Sequence, residues 1–179
     1  MPRRVLACIL ASGMLCLVSA WAQTFPLDPA DPVVTKALGY MAAHQNADGG
    51  FGQMGESDLS TTSRVLEALA AAGKDPTSYE VKGAGPDDYM LSVSDSVYSG
   101  SLGTSPLADK TNLLLGLAAC KLNPRNFGGR DHVQSLLSMQ NASTGAFGNG
   151  PMDTAYAILA LMASGIPAQD AALQRARSY

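Results

Sequence analysis

Three stretches of this chain repeat one pattern in one order, and a tandem repeat constrains a fold more tightly than composition does. Gln45-Asn46-Ala47-Asp48-Gly49-Gly50-Phe51-Gly52 is echoed by Gln140-Asn141-Ala142-Ser143-Thr144-Gly145-Ala146-Phe147-Gly148. Each is followed by an alanine- and leucine-rich run, Thr61 to Gly73 in the first copy and Asp153 to Gly165 in the third. A looser copy lies between them, Ser96 to Gly103 and then Asp109 to Leu117. Setting Leu69, Leu117 and Leu161 in register gives spacings of 48 and 44 residues. A period in the forties accommodates one helical hairpin per copy, and stacked hairpins bury a core that no single copy can bury alone.

Each copy reads as helix, glycine-rich turn, helix. Val33, Val34, Leu38 and Met41 recur at spacings of three and four, the mark of an amphipathic outer helix. Val133, Leu136, Leu137 and Met139 follow the same pattern less regularly. Gly49-Gly50, Gly100 and Gly145 supply the tight reversals. The second helices, such as Ala155 to Ser164, are apolar nearly all round, which predicts burial on every side. Gly73-Lys74-Asp75-Pro76, Leu122-Asn123-Pro124 and Gly165-Ile166-Pro167 mark their ends. Thr77 to Asp87 is expected to be a surface connection, and no segment calls for β structure. The fold class expected is therefore all-α, built from three tandem helical hairpins. Ala171 to Tyr179 reads as the opening of a fourth, with Tyr179 matching Tyr40.

The N-terminus carries an address. Arg3 and Arg4, the apolar run Val5 to Val18, and Ala20-Trp21-Ala22 before Gln23 form the three parts of a cleavable secretion signal. Residues 1–22 are thus expected to leave on export, with 23–30 an N-terminal extension and 31–179 the repeat domain. The apolar run is short for a membrane span, so no stable anchor is expected after cleavage. The destination is secreted or extracytoplasmic, periplasm included. Cys8 and Cys16 depart with the signal, and Cys120 at the end of an apolar run reads as a small buried hydrophobe. The remaining chain has 10 basic against 15 acidic side chains and no Lys/Arg cluster, which excludes a nucleic-acid partner.

Gln-Asn-x-x-Gly-Gly-Phe-Gly at Gln45 to Gly52, with Asp153-Thr154-Ala155-x-Ala157-x-x-Ala160-Leu161, resembles the prenyltransferase and squalene-oxidase repeat. Terpene cyclases and protein prenyltransferase β subunits share that repeat, as do many secreted prokaryotic proteins. The resemblance covers about Asp31 to Tyr179 and implies a partial α/α toroid whose inner-helix N-termini surround a cavity mouth. It also implies that Gln45 and Gln140 tie an outer helix to the next helix's terminus. Phe51, Leu102 and Phe147 are expected as apolar plugs between hairpins.

The catalytic patterns of that family are reduced here. Where class II cyclases carry Asp-x-Asp-Asp-Thr-Ala, this chain has Gly150-Pro151-Met152-Asp153-Thr154-Ala155, with one carboxylate and no adjacent second one to tune it. Cys120, His44 and His132 fall in different copies without zinc-ligand spacing, and both histidines are expected to be solvated on outer helices. No metal or cofactor is expected. Asn46, Asp48 and Gly49 lack the closing acid of a calcium loop, and Asn141-Ala142-Ser143 fits a glycosylation acceptor. Asp153 is the one catalytic candidate, against the plainer role of capping its helix, with Asp58, Ser60, Thr61 and Asp109 in equivalent places. The expected function is a non-catalytic binding or interaction module with a ligand, protein or cell-surface partner. The alternative is a fragment of an isoprenoid cyclase or transferase whose catalytic residues lie mostly outside this chain. Open repeat edges make self-association a further expectation.

Overall fold

The computed structural model describes residues 28–103 and 105–179, so the expected signal and Gln23 to Leu27 lie outside the described residues. The chain divides into two compact units, Met1–Lys36 and Ala37–Tyr179. Of the first unit, residues 28–36 are described. There Asp31 opens helix α1 (Pro32–Ala43), its Oδ1 accepting the Val33 amide at 2.8 Å.

The second unit holds the remaining elements in the order the periodicity predicts. After α1 come α2 (Leu59–Ala71), α3 (Pro86–Ser99), α4 (Pro106–Ala119), α5 (His132–Leu137), α6 (Pro151–Ala163) and α7 (Ala171–Arg177). Proline occupies the first position of α3, α4 and α6, where its fixed φ suits a helix and its missing N–H leaves nothing unpaired. The described residues are thus predominantly α-helical, as expected.

The helix ends verify the repeat register. The amides of Lys74, Leu122 and Ile166 donate to the carbonyls of Leu69, Leu117 and Leu161 at 3.0, 2.9 and 3.0 Å. These three leucines are the residues aligned from sequence. Between donor and acceptor, Gly73, Lys121 and Gly165 each turn left-handed, closing the last turn in the same way three times.

Packing follows the copies. Helices α2, α4 and α6 lie side by side with α4 in the middle, while α3 and α5 rest on α4 and α7 rests on α6. Two hydrophobic clusters result, and α4 supplies both. Leu113 and Leu117 join Leu59, Leu66, Met90 and Val97 on one side. Leu107 and Leu114 join Val133, Leu136, Phe147, Ala157 and Leu161 on the other. A single helix thus cements neighbouring copies, which is how stacked repeats acquire a shared core.

Two expectations need correction and a third is sharpened. A two-residue hairpin, β1 (Gly52–Gln53) against β2 (Glu56–Ser57), interrupts the first turn, where no strand was expected. Met54 and Gly55 both have positive φ there, the geometry that matches a hairpin's twist. The stretch from Thr77 to Asp87 is the surface connection expected, but it carries local order and ends sooner. A 3₁₀ turn (Pro76–Ser78) leads into it, a reversal at Lys82-Gly83 is bridged by Val81 and Ala84, and α3 already begins at Pro86. Finally, α6 is not buried on every side, because Ala155, Leu159 and Met162 remain exposed along one edge.

Candidate functional site

The recurring motif residues act as a clasp. Gln45 Nε2 donates to its own turn at Gly49 O (2.8 Å) and forward to Tyr79 O (2.9 Å). Gln140 Nε2 repeats this at Gly145 O (2.9 Å) and Ala172 O (2.8 Å). Tyr79 closes the 3₁₀ turn that precedes α3, and Ala172 lies in the first turn of α7. Gly49 and Gly145 have φ of +86° and +79°, and a Cβ on either would overlap a carbonyl oxygen, of Gly85 and of Arg175 respectively. Only glycine satisfies both the backbone angle and the close approach.

The plugs expected behind the first and third turns are each fastened by a threonine. Phe51 and Phe147 are buried, and each gives and receives a hydrogen bond with one hydroxyl. Thr62 Oγ1 accepts the Phe51 amide at 2.9 Å and donates to the Phe51 carbonyl at 3.1 Å. Thr154 does the same for Phe147 at 3.1 and 3.0 Å. Lys110 stands at the equivalent register of the middle copy. Its buried ammonium donates to Val97 O (2.7 Å) and Tyr98 O (2.6 Å) at the C-terminal end of α3, where the helix dipole favours a cation. Burial pulls the Lys110 pKa down, and the neighbouring Asp109 carboxylate opposes that pull. Leu102, the third expected plug, is half-buried against the cluster around Leu113.

The carboxylates expected to be equivalent have separate roles. Asp58 is the N-cap of α2, accepting the Thr61 amide at 2.8 Å. Asp153, the catalytic candidate, lies in the first turn of α6 and accepts the Asn149 amide at 3.0 Å, so it secures the turn that enters the helix. Asp109 is buried in the first turn of α4. Ser60 and Thr61 sit inside α2 rather than at its cap.

His132 is not solvated. It is buried at the start of α5, with Nε2 2.9 Å from Ser94 Oγ and 3.2 Å from Phe127 O. The Tyr98 ring meets it edge-on. Burial lowers its pKa, Lys110 lowers it further, and the Phe127 carbonyl works the other way, so the ring is neutral and bolts α3 to α5. His44 does lie exposed, stacked on Tyr40. Cys120 is buried and its thiol pKa is pushed up to about 12, by burial first and then by Asp87 and Asp75, which keeps it protonated and unreactive. In the first turn, Asp48 Oδ1 accepts from the Gly50 amide and Ser57 Oγ, bracing the hairpin. Among the described residues no group of three or more His, Cys, Asp or Glu side chains assembles to hold a metal ion.

Away from the clasp, the N-terminal halves of α2, α4 and α6 enclose two adjoining hollows that share Ser60, Ala108 and Asn112. One, of about 380 Å³, reaches Tyr89, Asp58 and Leu102. Burial, followed by the charges of Asp58, Asp48 and Asp109, pushes the Tyr89 phenol up to about 12. The other, of about 270 Å³, is walled by Arg64, Met152, Asp153 and Tyr156. Arg64 places its guanidinium 5.1 Å from the centre of the Tyr156 ring and also pairs with Glu67 at 3.3 Å. Sequence reasoning passed over Arg64 and Tyr156. The available signal was a cation in one apolar run and a tyrosine in its distant counterpart, but nothing local indicates that they meet. No protein-family model, curated protein or solved structure matches this chain.

Proposed function

We propose that this chain is an exported, non-catalytic binding module of the prenyltransferase and squalene-oxidase repeat type. Its three hairpins and the start of a fourth form part of an α/α toroid, and it takes a ligand or partner in the groove across α2, α4 and α6. The observation that carries this reading is how the motif residues are used. Gln45, Gln140, Thr62 and Thr154 all bond to backbone groups of the chain itself, and Asp153 is tied to Asn149. The side chains left to face a visitor are Arg64, Tyr156, Met152 and Asn112, a cation on an aromatic face beside a thioether and an amide. That set suits recognition of an amphipathic molecule.

Anilinonaphthalene sulfonate, which joins an anion to aromatic rings, is a suitable probe. The folded protein is expected to enhance its fluorescence, with affinity falling about tenfold, or 1.4 kcal/mol, in Tyr156→Ala. Absence of enhancement, or a variant that binds equally well, contradicts groove binding. N-terminal sequencing of the exported protein is expected to begin at Gln23.

Asp153 lines the groove beside Tyr156, and that placement favours the enzymatic alternative. Turnover of farnesyl diphosphate or squalene by the purified chain, abolished in Asp153→Asn, would establish the alternative in place of the binding module.

A further inference from the structure

Asn149-Gly150 is the one Asn-Gly pair in the chain, and it lies in the turn between the Phe147 plug and α6. Asn149 is exposed, and among the described residues neither its side-chain amide nor the Gly150 N–H makes a hydrogen bond. The turn of the first copy holds a comparable pair, Asp48-Gly49, under restraint. There the Gly49 amide donates to Asn46 O at 3.0 Å, and Asp48 Oδ1 accepts from Gly50 N and Ser57 Oγ. Asn46, Asn123 and Asn141 likewise have bonded side chains, and each is followed by alanine or proline.

We propose that Asn149 is a site of spontaneous deamidation, with water as the only co-reactant. The Gly150 nitrogen, once deprotonated, attacks Asn149 Cγ and forms a C–N bond. The bond from Cγ to the side-chain nitrogen breaks, and that nitrogen takes up a proton and departs as ammonia. Water then opens the cyclic imide at either carbonyl, giving aspartate or its β-linked isomer with no change of oxidation state. Glycine suits this attack because no side chain crowds its nitrogen. A hydrogen bond on either group would oppose it, and here both are free of one among the described residues. Each product carries a carboxylate on the residue whose amide Asp153 Oδ2 accepts at 3.0 Å, so like charges are brought together. The β-linked product also lengthens the backbone between Phe147 and α6 by a methylene. Conversion therefore loosens the entry to α6.

Incubating the folded protein in warm, mildly alkaline buffer and mapping its peptides by mass spectrometry tests this. The expected result is exchange of NH₂ for OH at Asn149 ahead of every other asparagine. Its rate should lie within about tenfold of that in a short peptide with the sequence of residues 146–153. Gly150→Ala is expected to slow conversion at least about tenfold. The fold accommodates that variant, because Gly150 has extended backbone and a Cβ there meets nothing within 4 Å. The aged protein is expected to melt lower than when fresh, whereas equally aged Gly150→Ala keeps its melting temperature. Four results would overturn the proposal: conversion more than about tenfold slower than in the peptide, conversion led by another asparagine, a rate indifferent to Gly150→Ala, or a fully converted protein that melts as it did when fresh.

Discussion

The first and third copies join the turn to the helix that follows it with a threonine, and the middle copy replaces that threonine with a lysine. Thr62 and Thr154 bond the backbone of a phenylalanine plug within their own copy. Lys110 instead spans to the final carbonyls of α3, and its copy has the smaller, half-buried plug Leu102. Two hydrogen bonds leave the same helical register in every case, but they end on different elements. What the repeat preserves is therefore the satisfaction of buried backbone groups at the junction, and the side chain that achieves it varies with the turn. The middle copy, flanked on both sides, relies on a charge held by a helix end. The outer two rely on aromatic burial.

Substitutions break this contrast in graded ways. The largest effect is expected from Phe147→Ala, which empties a fully buried site and costs about 3–5 kcal/mol in denaturant unfolding. Leu102→Ala, on the half-buried plug of the middle copy, is expected to cost clearly less. Lys110→Ala removes the ammonium from Tyr98 O and from Val97 O, the latter still accepting the Gly100 amide, and is expected to cost about 1–3 kcal/mol. Lys110→Thr should not rescue it, since a threonine hydroxyl is too short for that span. Thr154→Val keeps shape and loses both bonds to Phe147, an expected loss of about 1–2 kcal/mol.

Acidification tests the middle copy differently. His132 has a lowered pKa in the folded chain, so below the ordinary value of 6.5 the unfolded chain binds more protons. Its contribution is complete above that value and is lost as the pH falls through it toward the lowered one. The melting temperature is expected to drop between about pH 7 and about pH 5, and His132→Gln should flatten that slope. The smallest effect has the opposite sign. Lys121 holds the left-handed position that Gly73 and Gly165 fill in the other copies, and Lys121→Gly is expected to raise stability by roughly 0.5–1 kcal/mol in the same unfolding assay.

The parts legible in the sequence are those fixed by local chemistry or by period. Leu69, Leu117 and Leu161 aligned correctly because each precedes a terminator, and the same 6→1 hydrogen bond closes all three ends. The plugs Phe51 and Phe147 were legible because an aromatic beside glycine in a repeated turn has a fixed place to go. The role of Lys110 was not, because it depends on the distance from one helix to the end of another. His132 was misplaced for a related reason: its short helix gives too few turns to define a buried face, and Ser94 lies 38 residues away. Open repeat edges were expected from the sequence, but which residues of α6 stay exposed was not legible, because hydrophobic periodicity records which face is apolar, not whether a neighbour covers it. The groove pair Arg64 and Tyr156, drawn from two copies, was hidden in the same way.

Side-chain amide exchange at Gln45 and Gln140, followed by nuclear magnetic resonance, addresses the clasp most directly. Both Nε2 groups should exchange far more slowly than those of Gln53 and Gln134, exposed glutamines that serve as internal references, and each should show contacts to the segment it reaches, Tyr79 or Ala172. Exchange at the rate of those two references, with no such contacts, would contradict a motif that locks each copy to the next.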